Sequence, residues 1–116
     1  MKAKLPIIAV LATITCTGMP LQAEETEIMR RGFAIVDFVY ARCLLEKGLG
    51  TQEQLDDAQR ETLKRYPENK AAFKWAKTSP NGKAAVQALM PYVDDDCNIN
   101  IATHEQFMEL ILPYVK

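Results

Sequence analysis

Between Phe33 and Leu45 the chain is apolar at almost every angle of a helix: Ile35, Val36, Phe38, Val39, Tyr40 and Leu44 leave Asp37 and Arg42 as the polar exceptions. A helix apolar nearly all round belongs in the middle of a bundle. The pattern extends back to Glu24. There Glu24, Glu25 and Glu27 complement the positive end of a helix dipole, and Glu27 stands four residues before Arg31. This predicts a first helix over 24–47. Asp37 reads in two ways, as a buried functional acid or as the mark of a narrow solvent-facing strip. The cost of burying an unpaired charge favours the second.

Gly48 and Gly50 end the first helix, and Leu49 between them suits the apolar contact of a Schellman-type cap. Thr51 and Gln54 have the spacing of a capping box and start a second helix. Its apolar side is Leu55, Ala58, Leu63 and Tyr66, with Asp56–Arg60 and Glu61–Arg65 as i,i+4 pairs on the wet side. Pro67 stops it or opens the next helix. A third helix over 68–78 turns Phe73 and Ala76 inward. Ser79-Pro80-Asn81-Gly82 has the composition of a turn. A fourth helix over 83–93 buries Val86, Leu89 and Met90, and Pro91 bends or ends it. Thr103 and Gln106 repeat the capping-box spacing before a last helix with Phe107, Leu110, Ile111 and Tyr114 on one side. Asn98 to Ile101 alternates polar and apolar residues but is too short for a strand. The expected fold is all-α, a small four-to-five-helix orthogonal bundle.

Upstream of this pattern lies a segment of another kind. Lys2 and Lys4 precede an apolar run from Leu5 to Ile14, followed by polar or helix-breaking residues to Pro20 and by Leu21-Gln22-Ala23. That order is the one found in a removable secretory signal, with Ala23 as the small residue at the cleavage point. The run is too short for a spanning helix, which needs about 20 apolar residues. A lipoprotein reading would acylate Cys16, but Thr13, Ile14 and Thr15 suit that processing poorly. The expected organisation is a signal peptide over 1–23 and a single helical domain over 24–116, periplasmic or secreted, with no stable membrane insertion of the mature chain.

Loss of the signal changes the arithmetic. Lys+Arg falls from 14 to 12 against 15 Asp+Glu, a net charge of about −3. Nucleic acid is then a poor partner, because phosphate binding needs a basic surface. Cys16 leaves, and Cys43 and Cys97 remain as the one internal pairing open to two cysteines in an oxidising compartment. A domain this small buries only about 60–65% of its unfolded surface, so a crosslink matters to it.

Candidate chemistry is sparse. His104 and Ser79 are the sole histidine and serine, and neither stands in the context of a nucleophile or its base. One histidine and two paired cysteines do not make a tetrahedral zinc site. The expectation is a non-enzyme. The sharpest local pattern runs from Asp94 to Glu105. On a twelve-residue calcium loop, Asp94, Asp96, Asn98, Asn100 and Glu105 fall at positions one, three, five, seven and twelve. The sixth position wants glycine and holds Ile99, so an acidic, solvated inter-helix loop is the alternative to a Ca2+ site. A basic stretch (Lys64, Arg65, Lys70, Lys74, Lys77, Lys83) surrounds Trp75. Lys70, Lys74 and Lys77 share a helix face and with Trp75 form a candidate partner surface. The alternative is a solvated lysine face.

Thr51, Gln54, Leu55, Leu63, Pro67 and Glu68 follow a T-x-x-Q-L … L-x-x-x-P-E spacing. This resembles the small periplasmic immunity proteins that guard bacteria against type VI secretion amidase toxins. Cys43 before the motif, and Val86-Gln87-Ala88-Leu89 to Cys97 after it, sit comparably. The chain differs in its two mature cysteines, where many relatives have four, in a longer spacer and in a helix after Cys97, so no toxin-contact residue is carried over. The resemblance implies a helical, disulfide-bonded, non-catalytic protein that binds another protein. Two other functions stand beside it, a small periplasmic stress or chaperone-like protein and a calcium-binding helical module. Homo-oligomerisation is left open.

Overall fold

The computed structural model describes residues 7–116, with side chains from Glu25 onward. The expected signal segment, with Cys16 and the cleavage point at Ala23, lies outside the residues whose side chains are described. Five α-helices make up the fold: α1 (Ile7–Glu46), α2 (Gln52–Arg65), α3 (Lys70–Thr78), α4 (Pro80–Leu89) and α5 (His104–Val115). Short 3-10 turns follow α2 (Pro67–Asn69) and α4 (Met90–Tyr92). Among the described residues there is no strand beyond one isolated bridge, Val93 to Ile99. None of the described helices is long and apolar enough to cross a membrane.

Helix α1 feeds both cores of the bundle, but it is not enclosed on all sides as its all-round apolar pattern predicts, since Met29, Phe33, Val36, Tyr40 and Leu45 stay exposed. Ile35 and Val39 pack into one core with Ala85, Val86 and Leu89 of α4 and with Ile111 and Val115 of α5. Ala34, on the other flank, packs into a second core with Ala72, Phe73 and Ala76 of α3. Phe38 and Trp75 touch both cores and join them. Phe73 holds the aromatic contact, with its ring 6.0 Å from that of Phe33 and 5.9 Å from that of Phe38.

The helix ends follow their local chemistry. Leu49 N–H donates to the Leu44 carbonyl (2.9 Å) and Gly48 N–H to that of Leu45 (3.1 Å), the paired bonds of a Schellman cap. Gly48 takes the left-handed conformation (φ 71°) that this cap demands. Leu49 itself stays largely exposed, so the apolar half of the motif is missing. The Thr51 hydroxyl accepts from Gln54 N–H (3.1 Å), and the Gln54 side chain accepts from Thr51 N–H (3.0 Å), completing the first capping box. At α5 the Thr103 hydroxyl accepts from Gln106 N–H (3.1 Å).

One connection departs from the sequence expectation. Ser79-Pro80-Asn81-Gly82 is the start of α4 and not a separate turn. The Ser79 hydroxyl caps Asn81 N–H (3.2 Å), and Pro80, which lacks an N–H to lose, occupies the first helical position. Gly82 lies buried inside α4, where a Cβ would stand 2.7 Å from the Ala76 Cα of α3. The glycine therefore lets two helices touch. Arg31 ties the far end of the bundle. It donates to the Val115 carbonyl (2.8 Å), pairs with Glu27 (3.4 Å) and lies 4.6 Å above the Trp75 ring. A cation at the carbonyl end of α5 complements the helix dipole there.

Cys43 and Cys97 form the expected disulfide, with their Cα atoms 5.6 Å apart and both side chains buried. It fastens α1 to the segment between α4 and α5. A disulfide of this sort persists in an oxidising compartment.

Candidate functional site

The segment that carried the calcium pattern is a compact turn. Val93 and Ile99 pair across it, Asp94 N–H donates to the Asn98 carbonyl (2.9 Å), and Cys97 N–H donates to the Asp94 carbonyl (3.0 Å). The Asp94 carboxylate accepts from the backbone N–H of both Asp96 (2.9 Å) and Asn98 (3.0 Å). It therefore works as the clasp of the turn, a local role typical of aspartate. Asp95 projects into solvent and meets Lys47 at 3.7 Å. Glu105 belongs to the first turn of α5. The structure does not draw Asp94, Asp96, Asn98, Asn100 and Glu105 into a ligand set. Among the described residues no three or more His, Cys, Asp or Glu side chains gather where they would hold a metal ion. The physical reason is the residue at position six. Ile99 extends into the bridge with Val93 and packs on the main core, where a calcium loop needs a glycine bend.

His104 opens α5, exposed, with its ring 6.5 Å from that of Phe107. Ser79 is spent on capping α4. Trp75 is not an exposed anchor. It packs against both cores with Arg31 stacked on it, and so holds α3 in place. Lys70, Lys74 and Lys77 do share an exposed face of α3. These three lysines and Lys83 of α4 form no ion pair with any described residue.

Beside that face lies a feature absent from the sequence reading. A groove of about 350 Å³ runs between α1, α2 and the α3–α4 pair. Phe38, Leu45, Leu55 and Val86 give it apolar walls, Asp37 and Gln59 face into it, and Lys77 and Lys83 reach its rim. That volume falls within the range of ligand pockets, about 300–1,000 Å³. It exists because α2 does not close down. The helical spacing of Leu55, Ala58, Leu63 and Tyr66 predicts a buried side, yet α2 has no buried residue, and it touches chiefly the 3-10 turn after it. Two leucines in fourteen residues are too few to pull the helix onto α1. That scarcity was the available signal for an open wall.

Asp37 is half-buried at this groove. Burial raises its pKa above the ordinary 3.8, and a hydrogen bond with the Gln59 side chain opposes the shift without cancelling it. At pH below 3.8 the carboxyl is neutral in both folded and unfolded chains and costs nothing. Between 3.8 and the raised folded value only the unfolded chain ionises, so a penalty on folding grows with pH and is complete at neutral pH. Asp37→Asn keeps a partner for Gln59 and removes the penalty. In thermal unfolding at low micromolar protein, the variant is expected to melt above wild type at neutral pH, with the gap closing as pH falls toward 3.8. A variant that melts below wild type at neutral pH would contradict the assignment.

No family model, curated protein or solved structure matches the chain.

Proposed function

We propose that the protein is exported, loses residues 1–23, and works in the periplasm as a non-catalytic binding protein, in its most concrete form an immunity-type inhibitor of a cell-wall-degrading toxin. The observation that carries this reading is the pairing of lysines that form no ion pair with a groove whose walls are apolar at Phe38, Leu45, Leu55 and Val86 and polar at Asp37, Asp56 and Gln59. Lys70, Lys74, Lys77 and Lys83 stand uncompensated on α3 and α4, and the last two border walls of Phe38, Leu45 and Leu55. Apolar surface rimmed by charge is the usual anatomy of a protein-binding site. Rim charges steer the encounter with a partner of opposite sign, here an acidic one. The disulfide keeps so small a domain folded outside the cytoplasm. Thr51, Gln54, Leu55, Leu63, Pro67 and Glu68, which carry the resemblance to immunity proteins, lie on α2 and at its two ends. That helix is one wall of the groove.

Native co-purification from periplasmic extract tests the reading, with wild type beside the Lys74→Glu/Lys77→Glu double variant. The expected result is one stoichiometric partner with wild type, reduced at least about tenfold by the charge reversal. An enzyme that cleaves peptidoglycan in the recovered fraction, inhibited by added protein, supports the immunity form. Recovery of many unfolded clients with equal yield from both proteins supports the chaperone-like alternative instead. No partner in any extract overturns the proposal.

A further inference from the structure

Helix α2 is fixed near both ends and loose between them. Toward its C-terminus Leu63 packs on the second core with Phe38 and Trp75, and Asn69, beyond Pro67, is buried. Before its N-terminus the turn over 48–51 follows the stretch of α1 that the Cys43–Cys97 bond holds. The inner line of the helix is Leu55, Gln59 and Thr62, at intervals of four and three, all half-buried at the groove. Facing them on α1 are Asp37, Phe38, Ala41 and Leu45. Tyr40 and Leu45 remain exposed although apolar neighbours stand on the opposite wall. Facing apolar walls draw together unless something at the join opposes it.

Asp37 supplies the opposition. Its side chain is half-buried on α1 and bridges the groove to Gln59 of α2 by a hydrogen bond. No cation among the described residues pairs with it. On its own helix Tyr40 and Arg42 also line the groove, and Arg42 is engaged by Glu46 (3.3 Å). Lys77 of α3 and Lys83 of α4 reach the rim without forming an ion pair. Asp56, the acid that α2 brings to the groove, is exposed and accepts from Gln52 (2.9 Å). Closure of α2 onto α1 would therefore strip the remaining water from an unpaired carboxylate. That costs more than the burial of a leucine or two returns. Once the carboxyl takes up a proton, the cost falls to that of a neutral, hydrogen-bonded group. Burial has already raised its pKa, so this protonation occurs at a higher pH than an exposed aspartate needs.

We propose that Asp37 is a proton-operated wedge in the groove: ionised, it holds α2 off α1 and keeps the groove open, and protonated, it lets α2 close over Phe38, Tyr40 and Leu45. The neutral carboxyl donates to the Gln59 side-chain carbonyl in place of accepting from its amide, so the contact between the two helices survives the change. Closure withdraws the apolar wall that a partner would use. As regulation of that groove the inference rests on the binding function proposed above. The movement itself belongs to the protein alone and is measured without a partner, so the two readings fail separately.

Hydrogen exchange of the purified protein, read by mass spectrometry on peptides from α2, tests the wedge. A helix of this length with no buried residue is marginal in water, so its amides exchange readily until it packs. Relative to an unstructured peptide at the same pH, wild-type α2 is expected to gain about tenfold or more in protection between neutral pH and pH 3.8, the ordinary aspartate value. Asp37→Asn and Asp37→Leu should both show the protected α2 at neutral pH already, with little further gain in acid. Asp56→Asn should behave as wild type does. Peptides from α4 in the same digests report that each bundle is folded. Equal α2 protection in wild type and the Asp37 variants at neutral pH overturns the proposal, and either variant alone suffices for that comparison. An acid response that persists undiminished in the Asp37 variants, or one that Asp56→Asn abolishes, overturns it as well.

Discussion

Replacing Cys43 and Cys97 together by alanine is expected to remove about 4 kcal/mol of stability, the chain-entropy value for a loop of this length. The crosslink spans 54 residues of sequence. A domain of this size has about 5–15 kcal/mol in total, so the loss is a large share of what keeps it folded. The residues around the bond allow a finer statement. Cys97 has φ 64°, in the left-handed region, where a side chain costs about 1–2 kcal/mol relative to glycine. The clasp formed by Asp94 and the Cys97–Asp94 backbone bond hold it there. Without the sulfur bridge that strain has no benefit to set against it. The Cys43→Ala/Cys97→Gly variant is therefore expected to be more stable than Cys43→Ala/Cys97→Ala by about 1 kcal/mol. Urea unfolding of the three proteins measures both differences. Equal midpoints for wild type and the double alanine variant would show that the crosslink contributes nothing. A glycine variant below the alanine one would remove the strain argument.

Gly82→Ala is expected to destabilise the protein by about 3 kcal/mol, near the upper end for overpacking. The sign matters more than the size. Inside a helix with room for a methyl group, Gly→Ala stabilises by about 1 kcal/mol. Here the new Cβ would lie 2.7 Å from the Ala76 Cα and 3.0 Å from the Trp75 backbone carbon. Backbone atoms cannot swing aside, so α3 and α4 must part. The join they form carries Ala76, Val86 and Leu89, buried members of the two cores. Gly50→Ala is the matched control, because its Cβ would meet only ordinary contacts at 3.8 Å or more. Thermal or urea unfolding of the two variants side by side decides the matter. A Gly82→Ala protein as stable as wild type would mean that the two helices are not in contact at this point.

The elements and the crosslink were legible in the sequence because they rest on local chemistry. Thr51 and Gln54 cap one another whatever else the chain does, and Cys43 and Cys97 are the two cysteines outside the expected signal segment. Ser79-Pro80-Asn81-Gly82 was misread because serine and proline begin turns and helices alike. What decides between them is the tertiary contact of Gly82 with α3, which no local pattern reports. The calcium spacing meets a related limit, for among the described residues no three acidic side chains gather there. Spacing lays five oxygen-bearing residues along the chain, but the fold engages one Asp94 carboxylate oxygen in its own turn and packs Ile99 on the core. The groove was hidden most deeply. It depends on how far α2 stands off α1, and periodicity names the inward side of a helix without saying whether anything presses against it. Trp75 shows the same limit, since its neighbours in sequence are lysines while its neighbours in space are Arg31 and two cores.

The position of the crosslink also determines how the molecule responds to a protease. Helix α2, exposed and without a buried residue, lies inside the stretch closed by Cys43 and Cys97. Segments that open at little energetic cost are the ones proteases cut first. A cut there severs the backbone and releases no fragment, because both pieces remain joined through sulfur. The nicked protein keeps its mass on a non-reducing gel and separates into two bands only after a thiol is added.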